Sequence, residues 1–324
     1  METISGTASW RLTILREADS VSILRAATCD RKAALPDFID GLPVTCLADH
    51  AFAPGESEIS GEQIEIRHGV PSGPFDNSIL EELFLPETLK RIESYALMKC
   101  RELRSLHLGD EIEYFGSEIL MNCRSLSEID IFRHTERQGE ALAYIVKGIT
   151  RELDVTVHQQ NGEIIRLIFP EYYEKLTENE PTHFFNFTIE GGGYPYHSVF
   201  VRNCLDLNKY DSLWRNYIFG PHESETALRL AWLRLKYPVG LSEEHRRNYW
   251  EYVRCNIRDA LLMELESGDS AGLQLLLHEG DLNREDLSAA AEKARKEHKT
   301  EALSLILESR HRRFPVEMRS KYDL

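Results

Sequence analysis

Long hydrophobic runs are missing from this 324-residue chain: charged residues interrupt every apolar stretch, leaving none of the length a transmembrane helix needs. The opening METISGTASWRLTILREADSVSIL has no basic start followed by a long apolar segment, so neither a signal peptide nor a membrane partner is expected. Positive charge is in deficit. Lys and Arg number 38 against 54 Asp and Glu, and a formal net charge of −16 would repel nucleic acid and anionic lipid over most of the surface. The six cysteines, Cys29, Cys46, Cys100, Cys123, Cys204 and Cys255, never form C-x-x-C, which suits reduced thiols in the cytoplasm better than a disulfide framework.

Motifs that carry chemistry are missing too. His222-Glu223 lacks the second histidine of a zinc-binding His-Glu-x-x-His, and no G-x-S-x-G nucleophile elbow occurs. Gly191-Gly192-Gly193 is not followed by Gly-Lys-Ser/Thr and opens no G-x-G-x-x-G helix, so it reads as a hairpin loop rather than a phosphate cradle. These absences point away from an enzyme and lead to no expected cofactor, metal or catalytic residue.

What is present is a repeat of 23 residues. Leu80, Leu83, Leu85, Leu89, Ile92, Ala96 and Cys100 return as Leu103, Leu106, Leu108, Ile112, Phe115, Ile119 and Cys123, and Leu126, Ile129 and Ile131 begin a third copy. A fixed period with conserved apolar character predicts a solenoid, whose units bury those positions only by stacking on one another. Cys100 and Cys123 then stack as well; a core ladder position is the plainer reading, since a metal would need further ligands. Upstream, Trp10, Leu12 and Ile14 alternate ahead of Val21 and Ile23, which predicts a strand pair capping the solenoid. Leu35–Ala53 reads as an earlier repeat turned at Gly41 and Pro43, Ile64 and Ile66 fit the strand pair Leu83 and Leu85, and RHGVPSGPFDNS reads as a loop.

From about Leu35 to Ile131 the chain resembles the BspA-like leucine-rich repeats. Leu35-Pro36, Ile39, Gly41, Pro43-Val44-Thr45, Leu47 and Ala51-Phe52 match the leading phrase of that family. Cys100, Leu103, Leu106, Leu108, Ile112, Phe115, Ile119 and Cys123 match its repeating unit, and Gly109 stands where Pro86 keeps the Leu-Pro step one repeat earlier. The resemblance implies short strands on one side of each coil. It does not carry over the surface adhesion of secreted relatives, because the export signal is missing; an adhesin exported by another route is a further reading.

Beyond Arg133 the pattern changes. ERQGEALAYIVKGI predicts an amphipathic helix, Asn161-Gly162 a hairpin turn between two strands, and Gly191–Gly193 the centre of a third extended pair. From about Pro221 the segments SETALRLAWLRL, EEHRRNYWEYVRCNIRDALLMEL, AGLQLLLHE, REDLSAAAEKARKEH and TEALSLILESR all predict helices. ESGDSAGLQLLLHEG resembles the second half of an ankyrin repeat, without the Thr-Pro-Leu-His start. The expected fold is thus α+β and multi-domain: a leucine-rich repeat solenoid with a strand cap over 1–132, an α+β middle segment over 133–220 and an all-helical ankyrin-like array over 221–324.

Strand alternation turns Leu83 and Leu85 inward and their neighbours outward. Stacked repeats therefore give two outward columns, Glu82, Ser105, Glu128 and Phe84, His107, Asp130, read as the exposed docking face for a protein partner of basic character, with Phe84 as anchor and the carboxylates as rim. The bland reading is a solvated strand face. The alternative to a protein-interaction scaffold is a ligand-sensing or catalytic site in the middle segment around Tyr194, Tyr196, His197 and Asp206.

Overall fold

A computed structural model describes residues 8–53, 59–68, 73–135, 138–179 and 184–315, which fall into two compact units, Met1–His222 and Glu223–Leu324. In the first, β1 (Trp10–Arg16) and β2 (Val21–Thr28) form the hairpin that the alternating Trp10, Leu12 and Ile14 predict. Trp10 is buried against Phe52, and its indole N–H donates to Ala34 O at 2.8 Å. The coils follow as β3 (Lys32–Ala34), β4 (Phe38–Ile39), β5 (Leu42–Leu47), β6 (Glu62–Ile66), β7 (Glu82–Phe84), β8 (Arg91–Ile92), β9 (Ser105–Gly109), β10 (Tyr114–Phe115) and β11 (Glu128–Phe132). Then come α1 (Ala141–Lys147), β12 (Leu153–His158) and β13 (Ile164–Phe169).

Two sheets wall the solenoid. One has the order β3-β7-β9-β11-β12-β13 and is parallel up to β12; the other contains β6-β1-β2-β5-β8-β10. The register Glu82↔Ser105↔Glu128 is the 23-residue repeat in three dimensions. Leu83, Leu106 and Ile129 lie buried between the sheets, as do Leu80, Leu89, Ile92, Ala96, Leu103, Ile112 and Ile119. Turns on the far side of the coils use left-handed backbone at the same period: Tyr95 and Glu118 have φ of 59° and 54°, Lys99 and Asn122 66° and 63°. Asn77 fixes the irregular loop before β7, accepting from Thr28 N and donating to Ala26 O and Phe52 O.

Three expectations are corrected. Ile64 and Ile66 do not join the repeat sheet; β6 runs antiparallel to the cap strand β1, pairing Ile64 with Leu12 and Ile66 with Trp10. The structure places no break at 132, because β12 continues the parallel ladder by pairing Glu128 with Asp154 and Phe132 with His158, α1 standing where earlier coils have turns. The glycine run does not centre a hairpin either. β14 (Tyr173–Asn179) pairs with β15 (Phe184–Glu190), and Gly191–Gly193 follows that ribbon. A Cβ on Gly193 would lie 1.9 Å from Pro170 O, so glycine is needed there for close backbone approach. A short 3₁₀ turn (Tyr196–Ser198), β16 (Phe200–Val201), β17 (Cys204–Leu205), α2 (Leu207–Ser212) and α3 (Trp214–Phe219) close the unit.

The described part of the second unit is helical: α4 (Ser224–Lys236), α5 (Glu243–Cys255), α6 (Ile257–Ser267), α7 (Ser270–Glu279), α8 (Arg284–Lys296) and α9 (Thr300–Arg313). The single helix expected across EEHRRNYWEYVRCNIRDALLMEL is broken at Asn256, whose φ of −118° leaves the helical region. Helix pairs α6–α7 and α8–α9 stack α6 on α8 and α7 on α9. Gly268 in the left-handed conformation ends α6, and the Asp269 carboxylate then caps α7 by accepting from Ala271 N and Gly272 N. Lys236 bridges Glu264 at 3.2 Å and Asp269 at 2.5 Å, tying α4 to this junction. Among the described residues no helix is long and apolar enough to cross a membrane.

Candidate functional site

The parallel ladder sets the six sequence-selected residues in two straight rows. One row runs Lys32, Glu82, Ser105, Glu128, Asp154; the other runs Ala34, Phe84, His107, Asp130, Thr156. Side chains that the sequence places only on one face are in fact knitted together. His107 stands at the centre: its Nε2 lies 3.1 Å from Glu82 Oε1 and 3.1 Å from Ser105 Oγ, and its Nδ1 lies 2.8 Å from Asp130 Oδ2. Its ring stacks on Phe84 with centroids 3.9 Å apart, and Lys32 sits 5.0 Å from the Phe84 centroid while pairing with Glu82 at 3.0 Å. Asp130 reaches on to His158 at 3.6 Å, which stacks on Phe132.

The expected exposure is therefore corrected for part of the face. Ser105 and His107 are only 7 % and 9 % exposed, because the small hydroxyl and the flat ring lie between larger neighbours on adjacent strands. Glu82, Phe84 and Asp130 are half-buried, and Glu128 is exposed, with no ion pair among the described residues. The face also holds residues that sequence reading missed. Lys32 lies on a strand whose Lys-Ala-Ala carries no leucine signal, and Asp154 and His158 follow a coil longer than 23 residues.

Ser105, His107 and Asp130 stand in the order of a hydrolytic relay, hydroxyl to Nε2 and carboxylate to Nδ1. Two features oppose that chemistry. Glu82 Oε1 lies as close to that Nε2 as the Ser105 hydroxyl does, 3.1 Å each, so the serine shares the nitrogen with a carboxylate. The Ser105 and Arg104 backbone N–H groups both donate to Glu81 O rather than facing an oxyanion.

Burial alone would raise the Asp130 carboxyl, but hydrogen bonds from His107 and His158 outweigh it and hold the group well below the ordinary carboxylate range. A carboxyl with a depressed folded-state pKa contributes stability that is complete above its unfolded value of about 3.9 and is lost as pH falls through the folded value. Asp130→Asn is expected to cost roughly 1–3 kcal/mol at neutral pH, with the gap to wild type narrowing below about pH 4. Urea unfolding at both pH values checks this; an unchanged gap would contradict it.

The middle-segment alternative does not assemble a site. His197 is buried with Nδ1 2.9 Å from Val146 O and Nε2 3.0 Å from Pro170 O, Tyr196 is buried, and the Asp206 carboxylate caps α2 by accepting from Lys209 N, while Tyr194 lies exposed. Cys100 and Cys123 are buried thiols, with Cys123 Sγ donating to Leu97 O at 3.0 Å, and the neighbouring Cys123 together with burial pushes the Cys100 thiol up. A cleft of about 630 Å³ lies between α1 and the turns of the neighbouring coil, lined by Phe115, Ile119, Tyr144, Lys147 and Arg151 and by none of the six face residues.

Residues 68–149 match the family model for the BspA type leucine rich repeat region (6 copies). Two solved structures are similar: a leucine rich cell surface protein from Faecalibacterium prausnitzii, at 17% identity and a TM-score of 0.27, and a leucine rich repeat protein of T. pallidum, at 19% identity and 0.21. The first alignment covers 49% of this chain and 42% of that protein, so the chain spans less than half its length; the second covers 39% and 74%. No curated protein matches. The N-terminal region is thus a solenoid of leucine-rich repeat type, and such proteins are commonly interaction or adhesion proteins and generally non-enzymatic.

Proposed function

We propose that the chain is a non-catalytic protein-interaction scaffold of the cytoplasm, which docks a basic segment of a partner on the outer face of the β7-β9-β11 sheet. The observation that carries this reading is the row Glu82, Ser105, Glu128 beside Phe84, His107, Asp130: the inner members are fixed by one another, leaving Glu128 and the edge of Phe84 free to meet a ligand without reorganisation. Net charge of −16 favours a cationic partner. Cys100 and Cys123, buried thiols at repeat positions, suit a reducing compartment. The stacked helix pairs, which resemble ankyrin repeats, supply a second surface, so that one bound partner raises the effective concentration of the next.

Affinity capture with wild type and with the Phe84→Ala, Glu128→Lys double variant tests the reading. A basic protein retained by wild type and lost by the variant is expected. An identical set of retained proteins would overturn it.

A further inference from the structure

The turns on the far side of the coils form a hydrogen-bond ladder that stops at one coil. His50 N and Phe52 N donate to Ser94 O and Ala96 O of the next coil at 3.1 and 2.7 Å. Tyr95 N, Leu97 N and Lys99 N donate in the same way to Ser117 O, Ile119 O and Met121 O at 3.0, 2.9 and 2.8 Å. One repeat further on, the corresponding donors are Glu118 N, Leu120 N and Asn122 N. The backbone takes the same path there, with φ of 54° at Glu118 and 63° at Asn122 against 59° at Tyr95 and 66° at Lys99. Among the described residues nothing accepts from these three N–H groups, because α1 stands where the next turn would lie. The α1 coil caps carbonyls of this turn instead: the Tyr144 hydroxyl donates to Gly116 O, and the Arg151 guanidinium to Cys123 O and Arg124 O. Glu118, Leu120 and Asn122 line the cleft of about 630 Å³ beside α1, together with Met121, which is 42 % exposed. An unpaired row of backbone N–H groups is a template for another chain.

We propose that the cleft binds a short polypeptide segment of a partner, which runs parallel to the coil, fills the place of the missing turn and carries a carboxylate at its C-terminal side. The donors select a backbone. In the earlier coil each of them serves a separate carbonyl, so three acceptors in a row are needed, and a single small anion would not supply them. Charge sets the direction. Glu118 lies at the start of the row and Arg124 beyond its end, and Arg124 is exposed, with no ion pair or hydrogen bond from its side chain among the described residues. The other charged groups of the cleft are engaged: Lys147 Nζ donates to Asn203 Oδ1 at 2.7 Å, Asn203 Nδ2 donates to Glu140 Oε2 at 2.8 Å, and Arg151 holds its two carbonyls. A segment whose third carbonyl accepts from Asn122 N therefore brings its next residue beside Arg124, where an acidic side chain or a terminal carboxylate would pair with the guanidinium. At the other end the stacked rings of Phe115 and Tyr144, 4.7 Å apart, offer an apolar wall. The cleft shares no residue with the acidic row on β7-β9-β11, so its failure as a site would leave that docking face untouched.

The probe is a synthetic peptide with the sequence of residues 114–122, YFGSEILMN, because that segment supplies the carbonyls for the same donor row one coil earlier. Amide hydrogen exchange of the full chain, read residue by residue by nuclear magnetic resonance, is the test. Without peptide the amides of Tyr95, Leu97 and Lys99 are expected to be protected and those of Glu118, Leu120 and Asn122 to exchange rapidly. Millimolar peptide is expected to slow the second set by about tenfold or more. Titration followed by the same amide shifts is expected to give a Kd on the order of 100 µM for the free acid and about tenfold weaker binding for the C-terminal amide. An amide ending in aspartate in place of asparagine is expected to recover the loss if a side-chain carboxylate serves, and to stay weak if only a chain terminus does. Arg124→Gln, at an exposed position, is expected to remove the difference between acid and amide. Protection of the three amides without peptide, unchanged exchange with it, no saturable binding, or an acid–amide difference that survives Arg124→Gln would overturn the proposal. Equal slowing by millimolar inorganic phosphate would also overturn it and make the cleft an anion site instead.

Discussion

Replacing Leu106 by alanine is expected to lower the unfolding free energy by roughly 2–5 kcal/mol. Leu106 is 1% exposed in β9, between Leu83 of the preceding strand and Ile129 of the next. In a stacked-repeat array each coil is held only by its neighbours, so a cavity at this position weakens two interfaces at once. The outward residues on either side are Ser105 and His107, and loosening the strand also loosens the contacts of His107 with Glu82 and Asp130. Urea unfolding followed by circular dichroism measures the loss. Leu176→Ala, at an exposed position, serves as the control and is expected to change stability by less than about 0.5 kcal/mol. Equal effects of the two substitutions would contradict the register of the repeat core.

Gly193→Ala is expected to be about as damaging, at about 3 kcal/mol, for a different reason. The added methyl would lie 1.9 Å from Pro170 O and 2.6 Å from Glu171 O, both backbone atoms that cannot rotate away. Moving the Pro170 carbonyl would also disturb the contact it makes with His197 Nε2 at 3.0 Å. Gly73→Ala provides the comparison, since a Cβ there meets nothing within 4 Å and φ is not in the left-handed region. Thermal unfolding of both variants checks the prediction: a drop for Gly193→Ala with little change for Gly73→Ala is expected, and equal midpoints would show that the chain after β15 is not packed as described.

Where the repeat keeps its 23-residue spacing, the sequence reading reaches the register itself: Leu83, Leu106 and Ile129 are ladder partners, and the two outward rows follow. It fails where the spacing changes. The coil before β12 holds α1, which moves Asp154 out of phase with Glu128 even though the two pair in the sheet. Alternation also tells which side a residue takes without telling its depth, and so Ser105 and His107 look exposed until the stacked Phe84 and the flanking carboxylates are seen beside them. The β14 sequence YEKLTEN is charged and polar enough to hide its pairing with FFNFTIE, which made the glycine run a natural but wrong centre for the hairpin. At Asn256 the helical composition is continuous, so the kink separating α5 from α6 leaves no periodicity signal.

The most direct test of the central claim is the affinity of the solenoid for a captured basic partner, titrated with wild type, Glu128→Gln and Glu128→Lys at two salt concentrations. Because Glu128 is exposed and its change leaves the Glu82–His107–Asp130 cluster in place, the protein stays folded and only the rim charge alters. A loss of about tenfold for Glu128→Lys, a smaller loss for Glu128→Gln and a weaker salt dependence in both are expected. Identical affinities and identical salt dependence for all three proteins would show that the partner docks elsewhere on the chain.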